Sequence, residues 1–269
     1  MDVRPPKSLL RPVGRAIADY DMIRDGDRIL LGLSGGKDSL SLLHVLRHLQ
    51  RHAPVRFELA TATVDPQVEG FHPQALRPYL EALGVPHFFC EEPIMERALT
   101  HMSKDSYCSW CARMKRGTLY SLARREGCNV LALGQHLDDL AESFLMSAFH
   151  QGRLQTMKAH YLNDAGDVRI IRPLVYVRER QLAEFAARSE FPVIHDNCPA
   201  CFRMPTRRMH MKQLLAEEEK GNRQLFPALL SAMRPLMAED SAKIISEIPP
   251  IPRKDRTRDQ ADKNSARLA

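Results

Sequence analysis

The sequence lacks any hydrophobic run that approaches the ~20 apolar residues needed to cross a bilayer. Its first residues, Met-Asp-Val-Arg-Pro-Pro-Lys, also lack the apolar core of a secretory signal. We therefore expect a cytoplasmic protein with no membrane partner. Because the cytoplasm is reducing, the six cysteines are not expected to form disulfides, and they need another explanation.

Internal repeats are also absent, as is the Gly-x-x-x-x-Gly-Lys-Ser/Thr spacing of a Walker A loop. Kinase-type transfer of a γ-phosphate is therefore not indicated. What is present is the composition of a globular chain, with 44% hydrophobic and 27% charged residues among 269. The net charge of +6 favours a polyanionic partner without identifying one.

Short apolar segments alternate with helical patterns along the chain. The segments are 29–33, 57–64, 87–90, 130–134 and 168–172. This alternation predicts an α/β fold with a doubly wound, mainly parallel five-stranded sheet and helical additions at both ends. We predict an N-terminal extension with a short helix opened by Pro12 at 1–24, a main domain at 25–200, a C-terminal helical segment at 201–248 and a disordered basic tail at 249–269.

The hexapeptide Ser34-Gly35-Gly36-Lys37-Asp38-Ser39 lies between the first predicted strand and a helix. Two glycines allow a tight turn that exposes backbone N–H groups. The helix N-terminus adds partial positive charge, and Lys37 adds a full charge. This combination is typical of a polyphosphate site.

A second polar motif, Gly134-Gln135-His136-Leu137-Asp138-Asp139, again lies where a strand becomes a helix. Helical spacing puts Asp138 and Asp139 on the same side as Glu142, and such carboxylates suit Mg²⁺. Acidic residues in a first turn also favour the helix dipole without any metal, and His136 fits a packed imidazole equally well. At the end of the second strand, Val64 and Asp65 are candidates to contact adenosine, with a turn-forming Asp65 as the alternative.

The cysteines include two Cys-x-x-Cys pairs, Cys108 with Cys111 and Cys198 with Cys201. If the fold brings the pairs together, four thiolates can hold a structural zinc or an iron–sulfur cluster, and spacing alone favours zinc. Cys90 and Cys128 are interpreted as small buried hydrophobes.

Basic residues flank both cysteine pairs. The candidates for RNA binding are Arg113, Arg116, Arg203, Arg207 and Arg208. Converging cysteine pairs would bring these charges together beside the thiolates, where an RNA backbone would be attracted. Solvated helix faces are the alternative interpretation.

Taken in order, these motifs resemble those of a known family. Ser-Gly-Gly-Lys-Asp-Ser resembles the pyrophosphate loop, or PP-loop, of the ATP pyrophosphatases, and Gly134-Gln135-His136-x-Asp138-Asp139 resembles their Gly-His-His-x-Asp-Asp signature with Gln135 in place of the first His. The cysteine pairs, Arg113-x-x-Arg116-Gly117 and Ile171-Arg172-Pro173-Leu174 extend the likeness to the tRNA 2-thiocytidine synthetases, the TtcA family, over about residues 8–240. The resemblance implies an adenine nucleotide α-hydrolase-like fold.

The resemblance also implies ATP, Mg²⁺ and a [4Fe-4S] cluster as cofactors. Lys37 and Asp38 would act at the reacting centre, with Cys198 as a spare thiol, a persulfide carrier or a fourth ligand. The implied nucleotide-binding set is Leu33, Ser34, Gly35, Gly36, Lys37, Asp38, Ser39, Val64, Asp65, Gly134, His136 and Asp139. Asp138 and Asp139 would hold Mg²⁺, and Cys108, Cys111 and Cys201 would hold the cluster, with the choice between Cys198 and Cys201 left open.

The resulting hypothesis is ATP-dependent tRNA thiolation. The enzyme would adenylate the C2 oxygen of an anticodon-loop cytidine and replace it by sulfur delivered on the cluster, giving 2-thiocytidine. A cysteine desulfurase is the implied sulfur source, and a homodimer is left open. The alternatives are a PP-loop enzyme that forms 2-thiouridine in tRNA and a zinc-stabilised RNA-binding protein without sulfur transfer.

Overall fold

Six strands form one sheet in a computed structural model that describes residues 3–68, 70–94, 96–97, 107–194 and 206–239, with the backbone alone at 107–109. The strands are β1 Asp27–Gly32, β2 Phe57–Asp65, β3 His87–Glu91, β4 Val130–Ala132, β5 His160–Leu162 and β6 Arg169–Ile171. Their order is β3-β2-β1-β4-β6-β5, and every pair is parallel except β5 with β6. The five predicted strands are therefore confirmed, and β5 is an additional antiparallel edge strand.

Eight α-helices whose two ends both lie within the described ranges accompany the sheet. They are α1 Lys7–Asp19, α2 Lys37–His52, α3 Leu76–Leu83, α4 Tyr107–Arg125, α5 Leu137–Gln151, α6 Glu179–Ser189, α7 Arg207–Gly221 and α8 Leu225–Met237. A short 3₁₀ turn, Pro73–Ala75, leads into α3. In the part of the chain that is described, no helix has the length and apolarity of a membrane span.

The central strands are buried on both sides, as their continuous apolar sequences indicate. Ile29 and Leu31 of β1 belong to one apolar cluster with Leu43 of α2, whereas Leu30 belongs to a second cluster with Leu119 and Leu122 of α4. Side chains alternate between the faces of a strand, so each face of β1 packs on helices. The doubly wound arrangement is confirmed.

Helix α1 begins earlier than predicted. The prediction placed Pro12 at the first turn, but α1 starts at Lys7 and Pro12 lies inside it. Proline has no N–H to donate to the carbonyl four residues back, which here is that of Ser8. The side-chain amide of Gln181 on α6 donates to the Ser8 carbonyl at 3.1 Å instead. This tertiary contact satisfies the carbonyl that the proline leaves without its helical partner.

The strand order reverses between β1 and β4. From β1 the chain proceeds outward through β2 to β3, and it returns through α4 to β4 on the other side of β1. Ligands of open α/β sheets bind at the carboxyl ends of strands beside such a reversal. Both polar motifs follow the two strands concerned, so the fold brings them to one crevice. All described residues belong to one compact unit, Met1–Glu239, and the predicted domain boundaries remain predictions.

Candidate active site

The loop after β1 adopts a conformation that requires glycine. Gly35 has a φ of +84°, and a Cβ there would lie 2.8 Å from Cδ1 of Ile194. Its carbonyl accepts a hydrogen bond of 2.9 Å from the backbone N–H of Ile194. The loop is thus pressed against the segment that follows α6, and any side chain at position 35 would push it out of place.

Two serines hold the loop to the start of α2. The Oγ atom of Ser34 accepts from the backbone N–H of Gly36 at 3.3 Å and lies 3.2 Å from Oγ of Ser39. Ser39 donates to the carbonyl of Gly36 at 3.0 Å. Because α2 begins at Lys37, its unpaired N-terminal N–H groups and dipole are held at the crevice, as an anion site requires.

Lys37 is held between two carboxylates. Its Nζ atom lies 3.2 Å from Oδ2 of Asp38 and 3.0 Å from Oε1 of Glu179, the first residue of α6. Burial alone would lower the pKa of Lys37, but Asp38 and Glu179 raise it above its ordinary value, so the ammonium stays charged. Glu179 also lies 2.7 Å from Nζ of Lys212 on α7. Although burial opposes it, hydrogen bonds from Lys212 and Lys37 lower the pKa of Glu179 to about 2.

We expect Glu179→Gln to destabilise the fold by an amount that depends on pH. Because the pKa of Glu179 is lower in the folded protein, its carboxylate stabilises the fold fully at pH values above its ordinary pKa of 4.5. This stabilisation is lost as the pH falls towards the folded-state pKa of about 2. The variant should lose on the order of 2 kcal/mol in the free energy of unfolding at neutral pH. Urea unfolding of both proteins should show the difference narrowing below about pH 5. Glu217→Gln, at an exposed pair with Lys220, is the control and should change little. If the variant and the wild type differed in free energy of unfolding by the same amount at every pH, Glu179 would not be stabilised by its charge.

The second motif caps α5. The backbone N–H of Asp139 donates to Nδ1 of His136 at 3.3 Å, and the N–H of His136 donates to Oδ2 of Asp139 at 3.0 Å. The buried imidazole also brings Nε2 to 3.8 Å from Oδ2 of Asp38. At Gly134 a Cβ would lie 3.3 Å from the backbone nitrogen of Ser39, so this glycine allows the two motifs to approach closely. His136 therefore positions Asp139 opposite the loop.

Asp138 makes contacts that differ from those of Asp139. It accepts from Nε and Nη2 of Arg178 at 3.1 Å, and its Oδ2 accepts from the backbone N–H of Glu179 at 2.8 Å. Arg178 also pairs with Glu219 and lies over the ring of Phe226, 3.2 Å from its centroid. Of the two predicted magnesium ligands, Asp138 is therefore engaged in joining α5 to α6 and to the C-terminal helices.

Asp38 and Asp139 have the character of cation ligands. In the described part of the chain, Oδ1 of Asp38 is buried without a hydrogen-bond partner, and burial raises the pKa of this carboxyl. Asp139 lines the same cavity. No group of three or more His, Cys, Asp or Glu side chains is arranged around a metal position among the described residues. A Mg²⁺ ion at Asp38 and Asp139 fits if oxygens of a bound phosphate complete its shell.

A cavity of about 360 Å³ lies between these motifs and α4. Its walls are Gly32, Leu33, Ser34, Asp38, Ser39, Ala62, Val64, Phe71, Ala112, Lys115, Arg116, Leu119, Leu133, Gly134, Gln135, Asp139 and Arg208. An apolar wall and a polar end suit a nucleotide. Val64 lines this cavity, and its contact with adenosine stays a prediction. Oδ1 of Asp65 accepts from the N–H of Gln67 at 2.8 Å, as in the turn alternative.

Helix α4 brings the first cysteine pair towards this cavity. Ala112, which follows Cys111, lines the cavity, and Cys111 is half-buried beside the apolar cluster of Leu119 and Leu122. The backbone of Cys108 lies in α4, but its side chain, Cys198, Cys201 and Arg203 fall outside the described residues. Convergence of the cysteines therefore stays a prediction.

The predicted RNA-binding residues occupy different surroundings. Arg116 lines the cavity together with Lys115, and Arg113 and Arg207 are exposed. Arg208 instead binds the active-site carboxylates, with Nη2 2.6 Å from Oδ1 of Asp139 and Nε 2.6 Å from Oε2 of Glu142.

The sequence alone assigned no site role to Glu179, Lys212 or Arg172, and Glu179 carried no signal. Lys212 follows the second cysteine pair together with other basic residues, and Arg172 belongs to the Ile-Arg-Pro-Leu motif after the fifth predicted strand. Arg172 is buried, and its Nε donates to Oε1 of Gln135 at 3.0 Å while Nη1 donates to the carbonyl of Lys158 at 2.6 Å. Gln135, the departure from the second signature, is therefore fixed by a charge-assisted hydrogen bond at the cavity wall.

Comparisons with known proteins agree with this geometry. Residues 8–218 match the PP-loop domain. A tRNA-cytidine(32) 2-sulfurtransferase of Geobacter sulfurreducens is 45% identical over 231 residues, covering 84% of this chain and 89% of that protein. A protein of the same name from Geotalea uraniireducens is 43% identical over 222 residues, covering 82% and 88%. The U34-tRNA thiolase NcsA from Methanococcus maripaludis, solved with its [4Fe-4S] cluster, aligns with a TM-score of 0.71 and 21% identity over 92% of this chain and 80% of that one. At 21% sequence identity, this structural similarity shows that the two proteins share a fold.

Proposed function

Because the chain belongs to the PP-loop family and, within it, to the tRNA-cytidine(32) 2-sulfurtransferases, we propose that it uses ATP to replace the C2 oxygen of tRNA cytidine 32 by sulfur. The observation that carries the proposal is one cavity lined at once by the loop after β1, the Asp139 motif and the residues that follow Cys111. An ATP site and a thiol-bearing helix at the same cavity suit activation of an oxygen followed by attack of sulfur.

The first step is adenylation. The C2 oxygen attacks the α-phosphorus of ATP, the bond from that phosphorus to the bridging oxygen breaks, and pyrophosphate leaves with the electron pair. The backbone of the Gly35 loop and the Lys37 ammonium stabilise the phosphate charge that this step redistributes. The pyrimidine oxygen, otherwise a poor leaving group, becomes part of AMP.

The second step replaces AMP by sulfur. A sulfur nucleophile forms a bond to C2, the C2–O bond breaks, and AMP departs with the former pyrimidine oxygen while the sulfur proton is released. The contribution of the chain is to hold C2 beside the thiol region in a cavity of limited size.

Two cofactors suit the residues present. Asp38 and Asp139 would hold Mg²⁺, which supplies charge neutralisation at the phosphates. Cys111 offers a half-buried thiol beside an apolar wall, the kind of surrounding in which thiolate ligands of a [4Fe-4S] cluster are placed, and Cys108 and Cys201 are the further ligands we propose. Such a cluster supplies an iron that carries sulfur.

Binding of the negatively charged tRNA backbone requires positive charge around the cavity. Arg116 and Lys115 line it, and we propose that they contact the anticodon-loop backbone, with Arg113 and Arg207 on the exposed surface beyond. Supply of sulfur by a cysteine desulfurase, a cytoplasmic location and a homodimer remain predictions.

Anaerobic incubation of the protein with unmodified tRNA, ATP and sulfide, followed by nucleoside analysis, tests the function. We expect 2-thiocytidine that depends on ATP. Formation of 2-thiouridine instead would assign the protein to the PP-loop enzymes that thiolate tRNA uridine. A colourless, zinc-containing protein that binds tRNA and forms neither nucleoside would refute the proposal in favour of an RNA-binding role.

A further inference from the structure

Helix α7 contributes two cations to the nucleotide end of the site. Arg208 contacts Asp139 and Glu142, and Lys212 contacts Glu179, all at 2.6–3.0 Å. Both cations line a second cavity of about 210 Å³. Its walls are Asp38, His136, Asp139, Glu142, Glu179, Thr206, Arg208, Met209 and Lys212. Asp38, Asp139 and Arg208 also line the larger cavity, so the two cavities are adjacent.

The smaller cavity is lined by several negative charges, which would repel the phosphates of ATP. Its walls carry four carboxylates, those of Asp38, Asp139, Glu142 and Glu179. Triphosphate oxygens placed beside them would be repelled, because like charges at short range in a partly buried site interact strongly. Lys37 alone cannot offset four carboxylates and a triphosphate. The cations that the structure brings to the same walls are Arg208 and Lys212.

We propose that Arg208 and Lys212 bind the β- and γ-phosphates of ATP and then the departing pyrophosphate. The inference rests on the proposed function and assigns the smaller cavity to the pyrophosphate part of the nucleotide. When the α-phosphorus bond to the bridging oxygen breaks, the electron pair stays on the β-phosphate, so negative charge grows where the guanidinium and the ammonium can meet it.

Both cations are exposed enough to turn towards a phosphate in the smaller cavity. About half of each side chain is exposed, at 46% for Arg208 and 50% for Lys212. Their carboxylate partners are more buried, at 5% exposed for Glu142 and 25% for Glu179, so leaving these carboxylates unpaired would be costly. Each cation has several N–H donors, so one donor can bind a phosphate oxygen while another stays on the carboxylate. Arginine also matches phosphate with two parallel N–H donors, which gives a directed contact as well as charge.

Binding measurements on three ligands test the assignment, namely ATP, AMP and inorganic pyrophosphate, with Arg208→Gln, Lys212→Gln and the matched control Lys220→Gln. Lys220 lies on the same helix, is 72% exposed and pairs with Glu217. We expect each of the first two variants to weaken ATP and pyrophosphate at least about tenfold while AMP, which has only the α-phosphate, keeps nearly its wild-type affinity. The control should bind all three ligands as the wild type does.

Equal weakening of ATP and AMP would assign Arg208 and Lys212 a purely structural role and overturn the inference. Unchanged ATP binding together with weaker tRNA binding would also overturn it, in favour of the RNA contact predicted for Arg208 from sequence. The assay separates this inference from the proposed function. If the wild-type protein forms 2-thiocytidine while Arg208→Gln binds ATP normally, only the pyrophosphate assignment fails, whereas both fail if the wild type binds no ATP.

Discussion

Replacement of Lys37 by glutamine is expected to lower the rate of 2-thiocytidine formation by about 10²–10³-fold. The side chain lies beside the N-terminus of α2 and stays charged because Asp38 and Glu179 hold its pKa above the ordinary value. Glutamine keeps much of the length and a hydrogen-bond donor but removes the charge that we propose to contact the phosphates. The loss should appear in adenylation, because in the proposed mechanism no sulfur enters until the oxygen has been activated.

Single-turnover formation of 2-thiocytidine at saturating tRNA and ATP measures the effect. Lys220→Gln is the matched control, since Lys220 is 72% exposed and pairs only locally with Glu217 in the described part of the chain. Its rate should equal that of the wild type. A Lys37→Gln variant that thiolates tRNA at the wild-type rate would exclude the loop after β1 as the phosphate site.

Replacement of Cys111 by serine is expected to abolish 2-thiocytidine formation while leaving ATP affinity unchanged. Cys111 directly precedes a residue of the cavity wall, and in the proposed mechanism its replacement removes a soft thiolate ligand from the helix that lines the cavity. Serine is nearly the same size but does not replace the thiolate ligand. The separation of the two readouts follows from the geometry, because the loop proposed to bind phosphate lies between β1 and α2, whereas Cys111 lies on α4.

Cys128→Ser provides the matched comparison. Cys128 belongs to the same apolar cluster but follows α4 at its other end, and burial raises the pKa of its thiol. We expect this variant to thiolate tRNA. If Cys111→Ser remained active, or if both variants lost activity equally, the position of Cys111 next to the cavity-lining Ala112 would have no special role in sulfur transfer.

The main sheet could be predicted from sequence because its strands are buried on both faces and therefore read as continuous apolar runs, such as Ile29-Leu30-Leu31. Strand β5 was not predicted because it is a three-residue edge strand, His160–Leu162, whose side chains are half-buried or exposed. It leaves neither an apolar run nor a clear alternation. Pro12 misled the prediction of α1 because a side chain from α6, which is distant in sequence, satisfies the carbonyl of Ser8.

The site was predictable only where a motif is contiguous. The loop at Gly35 and the Gly134 motif each signal their role in six residues, and the fold places both at one crevice. The contact of Arg208 with Asp139 joins residues 69 positions apart, so the adjacent arginines 207 and 208 looked equivalent in sequence. Likewise, Asp138 and Asp139 are neighbours with different partners. Asp138 binds Arg178 at the start of α6, whereas Asp139 binds Arg208 of α7.

The fate of the pyrimidine oxygen tests the central claim most directly. A tRNA carrying oxygen-18 at C2 of cytidine 32 is incubated anaerobically with the protein, ATP and sulfide, and the products are examined by mass spectrometry. Adenylation at this cavity predicts that the label appears in the phosphate of AMP, with one AMP and one pyrophosphate formed for each 2-thiocytidine. Label released to water, or found in inorganic phosphate with ADP as the nucleotide product, would contradict it.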